Sequence, residues 1–177
     1  MLNPLYTLED LESLEGDFEL DEGRLVPATQ PKRRHGKVCA RLAMRLGNHC
    51  EGTGQGEVLS NDTGFILQRD PDTLRGPDVA VIRAERLKDL SEDCHPEMAP
   101  DIAVEVHSPS NSAGDLQRKV GQYLNAGAIL VWVLYPERRS AAVYTGDGLV
   151  QLLSEDQDIA GEPVLPGFRC PLSDLFR

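Results

Sequence analysis

Positive charge is scarce in this chain of 177 residues, where 18 lysines and arginines stand against 29 aspartates and glutamates, a formal net charge of −11. Sequence-independent coating of nucleic acid draws its affinity from phosphate neutralisation and wants the opposite balance, so that class is excluded. Long apolar runs are missing too. No stretch approaches the roughly 20 residues a bilayer-spanning helix needs, which excludes an integral membrane protein of that type. In place of the basic and then apolar residues of a signal peptide, the N-terminus carries Glu9, Asp10, Glu12 and Glu15, so a cytoplasmic location is expected. Cysteine is sparse: Cys39, Cys50, Cys94 and Cys170 include no CxxC pair and are expected to be reduced, mostly buried thiols. Repeats, low-complexity tracts and Pro/Ser-rich linkers are also absent. With 40% hydrophobic residues the chain can bury one α/β core, and a single domain over 1–177 is expected, with 1–30 an N-terminal helix and hairpin extension.

What basic charge exists is concentrated. Six of the 18 basic residues fall between Lys32 and Arg45, in a segment expected to be helical from Pro31 to about His49. Val38, Cys39, Leu42 and Leu46 recur at spacings of three and four and define its apolar face. Arg34, Lys37, Arg41 and Arg45 form a stripe beside that face, either a solvated surface or one that meets phosphates. His35 lies on the apolar side, where it either caps the core or points into a polar cleft.

Other elements follow from period and punctuation. Thr7 to Gly16 reads as a short acidic helix, and Phe18 to Val26 as two short strands turning at Glu22-Gly23. Gly56–Ser60 and Thr63–Gln68 read as a hairpin through Asn61-Asp62, followed by a loop and the strand Pro77–Arg83. A charged excursion from Ala84 to Met98 precedes the strand Pro100–His107. Ser108-Pro109-Ser110 breaks that strand, and Asn111 or Ser112 caps a helix ending at Ala126-Gly127. Strands over Ile129–Tyr135, Ala141–Tyr144 and Leu149–Leu153 complete a mixed α/β (α+β) order, predicting a central mixed sheet flanked by helices.

The strand Asp101 to His107 carries the chemical signal. Residues two apart share a face of a strand, so Ile102, Val104 and Val106 point one way, and Glu105 and His107 project the other. A carboxylate in an apolar strand is costly unless paired or bound to a cation, or unless the strand is an edge with one face in water. Asp78 opens another strong strand after Pro77, and two acids on adjacent strands would form the oxygen-rich site that Mg²⁺ or Mn²⁺ prefers. In the helix after Ser110, Lys119 flanks the core stripe Leu116, Val120, Tyr123, Leu124 and Gly127. Lys119 could steer an attacking water with Tyr123 beside it, or simply pair with Asp115 one turn away.

Taken in order, Phe18-Glu19-Leu20, Glu22-Gly23, His35, Gly76-Pro77-Asp78-Val79-Ala80-Val81 and Pro100 to Ser110 resemble the Uma-two family of restriction-endonuclease-like proteins, long catalogued as a domain of unknown function. The likeness continues through Asp115, Lys119, Tyr123, Ala126-Gly127, Trp132-Val133, Pro136 to Arg139 and Leu165-Pro166-Gly167-Phe168. It implies the restriction endonuclease-like fold of the PD-(D/E)xK nucleases, with Asp78 and Glu105 as the metal-binding acids. The lysine usual two residues beyond the second acid is replaced by His107, and the resemblance implies Lys119 as its relocated equivalent with Tyr123 as neighbour. It also puts Glu22 and His35 near the cleft.

Three readings follow. The first is a Mg²⁺- or Mn²⁺-dependent deoxyribonuclease, a homodimer where both strands of DNA are cut, with Arg34, Lys37, Arg41 and Arg45 on backbone phosphates. The second is a noncatalytic module of the same fold that binds nucleic acid or a protein partner. The third, a zinc protein built on Cys94 and His95, suffers from adjacent ligands without a second pair.

Overall fold

The computed structural model describes residues 5–28, 30–109 and 112–177. Its centre is a six-stranded sheet built from β3 (Gly56–Ser60), β6 (Val79–Arg83), β7 (Ile102–Val106), β8 (Leu130–Tyr135), β9 (Ser140–Thr145) and β10 (Val150–Ser154), in the order β10-β9-β8-β7-β6-β3. Among the described residues only β7 and β8 pair in parallel; the helix α3 (Ala113–Asn125) connects them, as a parallel crossover requires. The predicted mixed sheet between helices is thus the observed architecture.

The helix α2 (Arg33–Thr53) covers one face because Val38, Leu42, Leu46 and Cys50 recur every four residues and are all buried. It runs four residues past the expected end and stops at Gly54, whose φ of 68° allows the left-handed cap. The opposite face is covered by α3 through Leu116, Val120 and Tyr123. The Ser112 side chain caps α3 by accepting from Asp115 N; Asn111, the alternative cap, and Ser110 of the strand break lie outside the described residues. With helices on both faces and strands on both edges, all five residues of β7 are buried, so the edge-strand reading of Glu105 is overturned.

A second sheet, β2-β1-β5-β4, stands beside the first, from β1 (Phe18–Asp21), β2 (Arg24–Pro27), β4 (Phe65–Gln68) and β5 (Thr73–Arg75). Here the predicted hairpin of Gly56–Ser60 with Thr63–Gln68 is wrong: β3 pairs with β6, and β4 with β5. Asn61 and Asp62 do turn the chain, at φ of 62° and 56°, but they pass it from one sheet to the other. Phe65 is the physical reason. It is wholly buried against Ala80 and Ile82, burial worth up to about 3 kcal/mol that a returning hairpin would forfeit. Gly76 lets the two sheets approach, since a Cβ there would lie 2.5 Å from Asp62 O. The loop expected after Gln68 contains β5, too short to show a strand period.

At the N-terminus the acidic helix shrinks to α1 (Leu8–Leu11), one turn closed by a Thr7/Asp10 capping box. At the other end, β11 (Asp158–Ala160), β12 (Arg169–Pro171) and α4 (Leu172–Phe176) are elements that the sequence pattern does not predict. They seal the α2 side of the core with Ile159, Leu165, Phe168, Leu172 and Leu175, and Phe168 stacks on the buried Trp132. The cysteines are free thiols: Cys50 and Cys170 buried, Cys39 half-buried, Cys94 exposed.

Candidate active site

Antiparallel pairing of β6 with β7 sets Val79 opposite Val104, which brings Asp78, just ahead of β6, to the Glu105 end of β7. Asp78 Oδ2 accepts a hydrogen bond from Val106 N at 2.6 Å, and Oδ1 lies 3.1 Å from His35 Nε2. Glu105 is only 5% exposed. It accepts a hydrogen bond from the Tyr123 hydroxyl at 2.9 Å, and Lys119 Nζ lies 3.4 Å from both of its oxygens. Lys119 and Tyr123 reach the same carboxylate because they are four apart on α3 and share a face. The bland Asp115–Lys119 pair does not form; Asp115 instead binds Ser112 and Arg118.

The hairpin β1–β2 supplies an acid absent from the expected site residues. Glu19 Oε1 accepts from Lys119 Nζ at 2.9 Å and from Gly76 N at 3.0 Å, while Oε2 accepts from Arg75 at 2.9 Å. Arg75 is almost wholly buried and also meets Asp21 at 2.8 Å and Gln122 at 2.8 Å, and Gln122 returns a bond to Asp21 at 2.7 Å. This network ties hairpin, β5 and α3 together, and breaking such a buried pair typically costs about 3–5 kcal/mol. Glu22, the expected cleft acid, sits in the turn with φ of 50°; it is exposed, and its amide donates to Thr73 Oγ1. Strand parity held the missing signal, because Glu19 and Asp21 share the face opposite the buried Leu20.

His107 does not take the lysine's place at Glu105. It packs against the Tyr135 ring at 5.4 Å, and its amide donates to Leu134 O. The basic stripe also parts from the cleft. Arg45 pairs with Asp174 at 2.7 Å, Arg41 donates to the Leu175 and Arg177 carbonyls, and Arg34 forms an exposed pair with Glu137. Lys37 is exposed, and weak burial together with Arg41, Arg33 and Arg34 pulls its pKa down. Glu19, His35, Asp62, Asp78, Glu105 and Lys119, by contrast, line one cleft of about 1500 Å³.

Electrostatics in this cleft favour an added cation. Burial pushes the Glu105 carboxyl up to about 7, and Asp78 and Glu19 push the same way against the lowering by Lys119. Burial pulls Lys119 down, yet Glu105 and Glu19 outweigh it and keep the ammonium charged. Burial likewise opposes protonation of His35, but the Asp78 hydrogen bond and charge raise its pKa above the ordinary value. Asp62 is raised by burial and then by Asp78. Tyr123 is held well above its usual value by burial and by Glu105, so it acts as a donor. Asp78 and Glu105, whose charges act on one another across adjacent strands, offer the carboxylate oxygens that a hard divalent ion takes. Cys94 and His95 belong to no three-residue ligand group among the described residues; the group that forms is His35, Cys39 and Asp78.

The mixed central sheet with a helix on each face and a single parallel crossover among the described residues is the restriction endonuclease-like fold. The chain belongs to the Uma2 family, described as "Putative restriction endonuclease", which it matches over residues 5–173. Among solved structures it is similar to the crystal structure of "a putative nuclease belonging to DUF820" from Anabaena variabilis ATCC 29413. That likeness has a TM-score of 0.84 at 17% identity, covers 96% of this chain and 97% of that one, and shows the shared fold. No curated protein matches the chain.

Proposed function

We propose that this protein is a divalent-metal-dependent endonuclease that hydrolyses DNA phosphodiester bonds, cytoplasmic, and a homodimer where both strands are cut. The observation that carries the reading is the convergence of Asp78, Glu105 and Lys119, from two adjacent strands and the crossover helix, in one cleft. Asp78 and Glu105 would hold Mg²⁺ or Mn²⁺. When bound, that ion supplies Lewis-acid polarisation of the phosphate and a lowered pKa for its water.

The chain's own residues do the rest. Tyr123 fixes one Glu105 oxygen and so orients the carboxylate. Lys119, kept charged by two acids, offers its ammonium to an attacking water or to the charge that develops on phosphate. Glu19 holds that ammonium from the other side. Lys37 and Arg34, on the outer part of α2, are available to backbone phosphates after exchange of the exposed Glu137 pair.

Cleavage of supercoiled and linear DNA with Mg²⁺, Mn²⁺ or EDTA tests the reading. Metal-dependent cutting is expected from the wild type and is expected to vanish in Asp78→Ala, Glu105→Ala and Lys119→Ala. A second reading, a module that binds without cutting, is favoured by the closer approach of Lys119 to Glu19 than to Glu105. Well-folded wild type that binds DNA yet cuts with neither metal would select it.

A further inference from the structure

His35 and Cys39 are one helical turn apart on α2, so their side chains leave the same face, toward the start of β6. Cys39 Sγ lies 3.4 Å from His35 Nδ1, and His35 Nε2 lies 3.1 Å from Asp78 Oδ1. One ligand atom from each of His35, Cys39 and Asp78 fits within 4.8 Å of the other two. All three are half-buried, which protects a thiol without sealing it, and His35 and Asp78 line the cleft, which gives an ion its route in. This donor set is chemically unlike the oxygen pair Asp78/Glu105. Mg²⁺ avoids sulfur, whereas sulfur, imidazole and one carboxylate form the set that Zn²⁺ and Co²⁺ take in tetrahedral sites, with a fourth position left open.

We propose that His35, Cys39 and Asp78 form a thiolate-containing site for a borderline-soft divalent ion, Zn²⁺ or Co²⁺, that shares Asp78 with the oxygen site. The cysteine binds as its thiolate, and its proton passes to the buffer as the metal–sulfur bond forms; no electrons change hands. Because Asp78 serves both sites, a zinc ion here competes with the ion at Asp78 and Glu105. The inference does not require the chain to cut DNA, and its test reads metal binding directly.

The experiment is a Co²⁺ titration of the full chain in a non-thiol reductant, followed by absorption, with far-UV circular dichroism on every variant. A thiolate-to-cobalt charge-transfer band in the near ultraviolet, saturating at one equivalent, is expected from the wild type, together with bleaching when Zn²⁺ displaces the cobalt. Cys39→Ser, a near-isosteric change, is expected to abolish the band with its dichroism unchanged. His35→Ala is expected to weaken Co²⁺ at least about tenfold, since even removal of a residue behind a ligand costs that much. Absence of the band at saturating Co²⁺ overturns the site and leaves the Asp78/Glu105 reading standing. Persistence of the band in Cys39→Ser also overturns it and moves the sulfur to another cysteine, the exposed Cys94 beside His95 being next to test.

Discussion

Lys119 Nζ lies 2.9 Å from Glu19 Oε1, a pair that joins the crossover helix to a hairpin 100 residues earlier in the chain. Glu19 is itself fixed by the Gly76 amide and by Arg75, so the lysine is held by a rigid acid. Glu19→Gln keeps the shape and the bond from the amide but removes the charge that positions Lys119. Cleavage is expected to fall by about a hundredfold, because a small misplacement of a reacting group costs that much. The loss should appear in kcat with KM little changed, a split that mere loosening of the hairpin would not produce.

The crowding of acids around Glu105 predicts an uncommon pH response for the metal-free protein. Glu105 titrates near 7 when folded against about 4.5 when unfolded, so between those values the folded state holds the extra proton. Stability therefore falls as pH rises through this window. His35 acts in the same direction: its folded pKa is raised, so its contribution is complete below about 6.5 and is lost as pH rises through the folded value. Thermal melts in EDTA from pH 5 to 8 should show a falling Tm, and Glu105→Gln should flatten most of the slope. A wild-type Tm that is level or rises over that range would refute the charge assignment.

Much of this site was legible in particular residues. Alternation in Ile102-Ala103-Val104-Glu105-Val106 sent the acid and the aliphatic residues to opposite faces, and β7 is arranged that way because period 2 leaves a strand no other choice. Ser112 and Gly127 bracketed α3 well enough to put Lys119 and Tyr123 on one face. What stayed hidden depended on distant partners. Choosing Glu19 over Glu22 required knowing which face of a four-residue strand meets Arg75. The departure of β4 from β3 was decided by the pocket under Phe65, and the fate of Arg41 and Arg45 by a five-residue helix with no readable period.

That short C-terminal helix divides the basic stripe into two pairs with different expected roles. Arg45 meets Asp174 with both side chains 30% exposed, so Arg45→Ala should cost no more than about 1 kcal/mol of stability. Its effect on the salt dependence of DNA binding should be nil. Arg34→Ala with Lys37→Ala should instead make log K fall less steeply with log salt, by about 0.9 for each phosphate left without its cation, with Tm unchanged. Equal slopes for wild type and the double variant would remove α2 from the DNA-binding surface.

Asp78 offers the cleanest separation of fold from metal binding, because its two oxygens do different work. Oδ2 accepts from the Val106 amide, and deleting it with alanine would leave a buried donor unpaired at about 1–3 kcal/mol. Asp78→Asn can keep that bond through its carbonyl oxygen while removing one of two repelling charges. Asp78→Asn also gives up the charge that pairs with His35, so at a pH where His35 is neutral the metal-free Asn variant should melt close to the wild-type temperature. Mn²⁺ tells the two apart. A ligand that binds only the folded state stabilises it by about 2.7 kcal/mol at a hundred times its Kd, so Mn²⁺ should raise the wild-type Tm. With a hard anionic oxygen exchanged for a neutral amide, the Asn variant should gain almost nothing from the same Mn²⁺ and should not cut DNA. A variant that melts like the wild type and still gains the full Mn²⁺ shift would mean that Asp78 holds the strand end to Val106 and His35 without holding the ion.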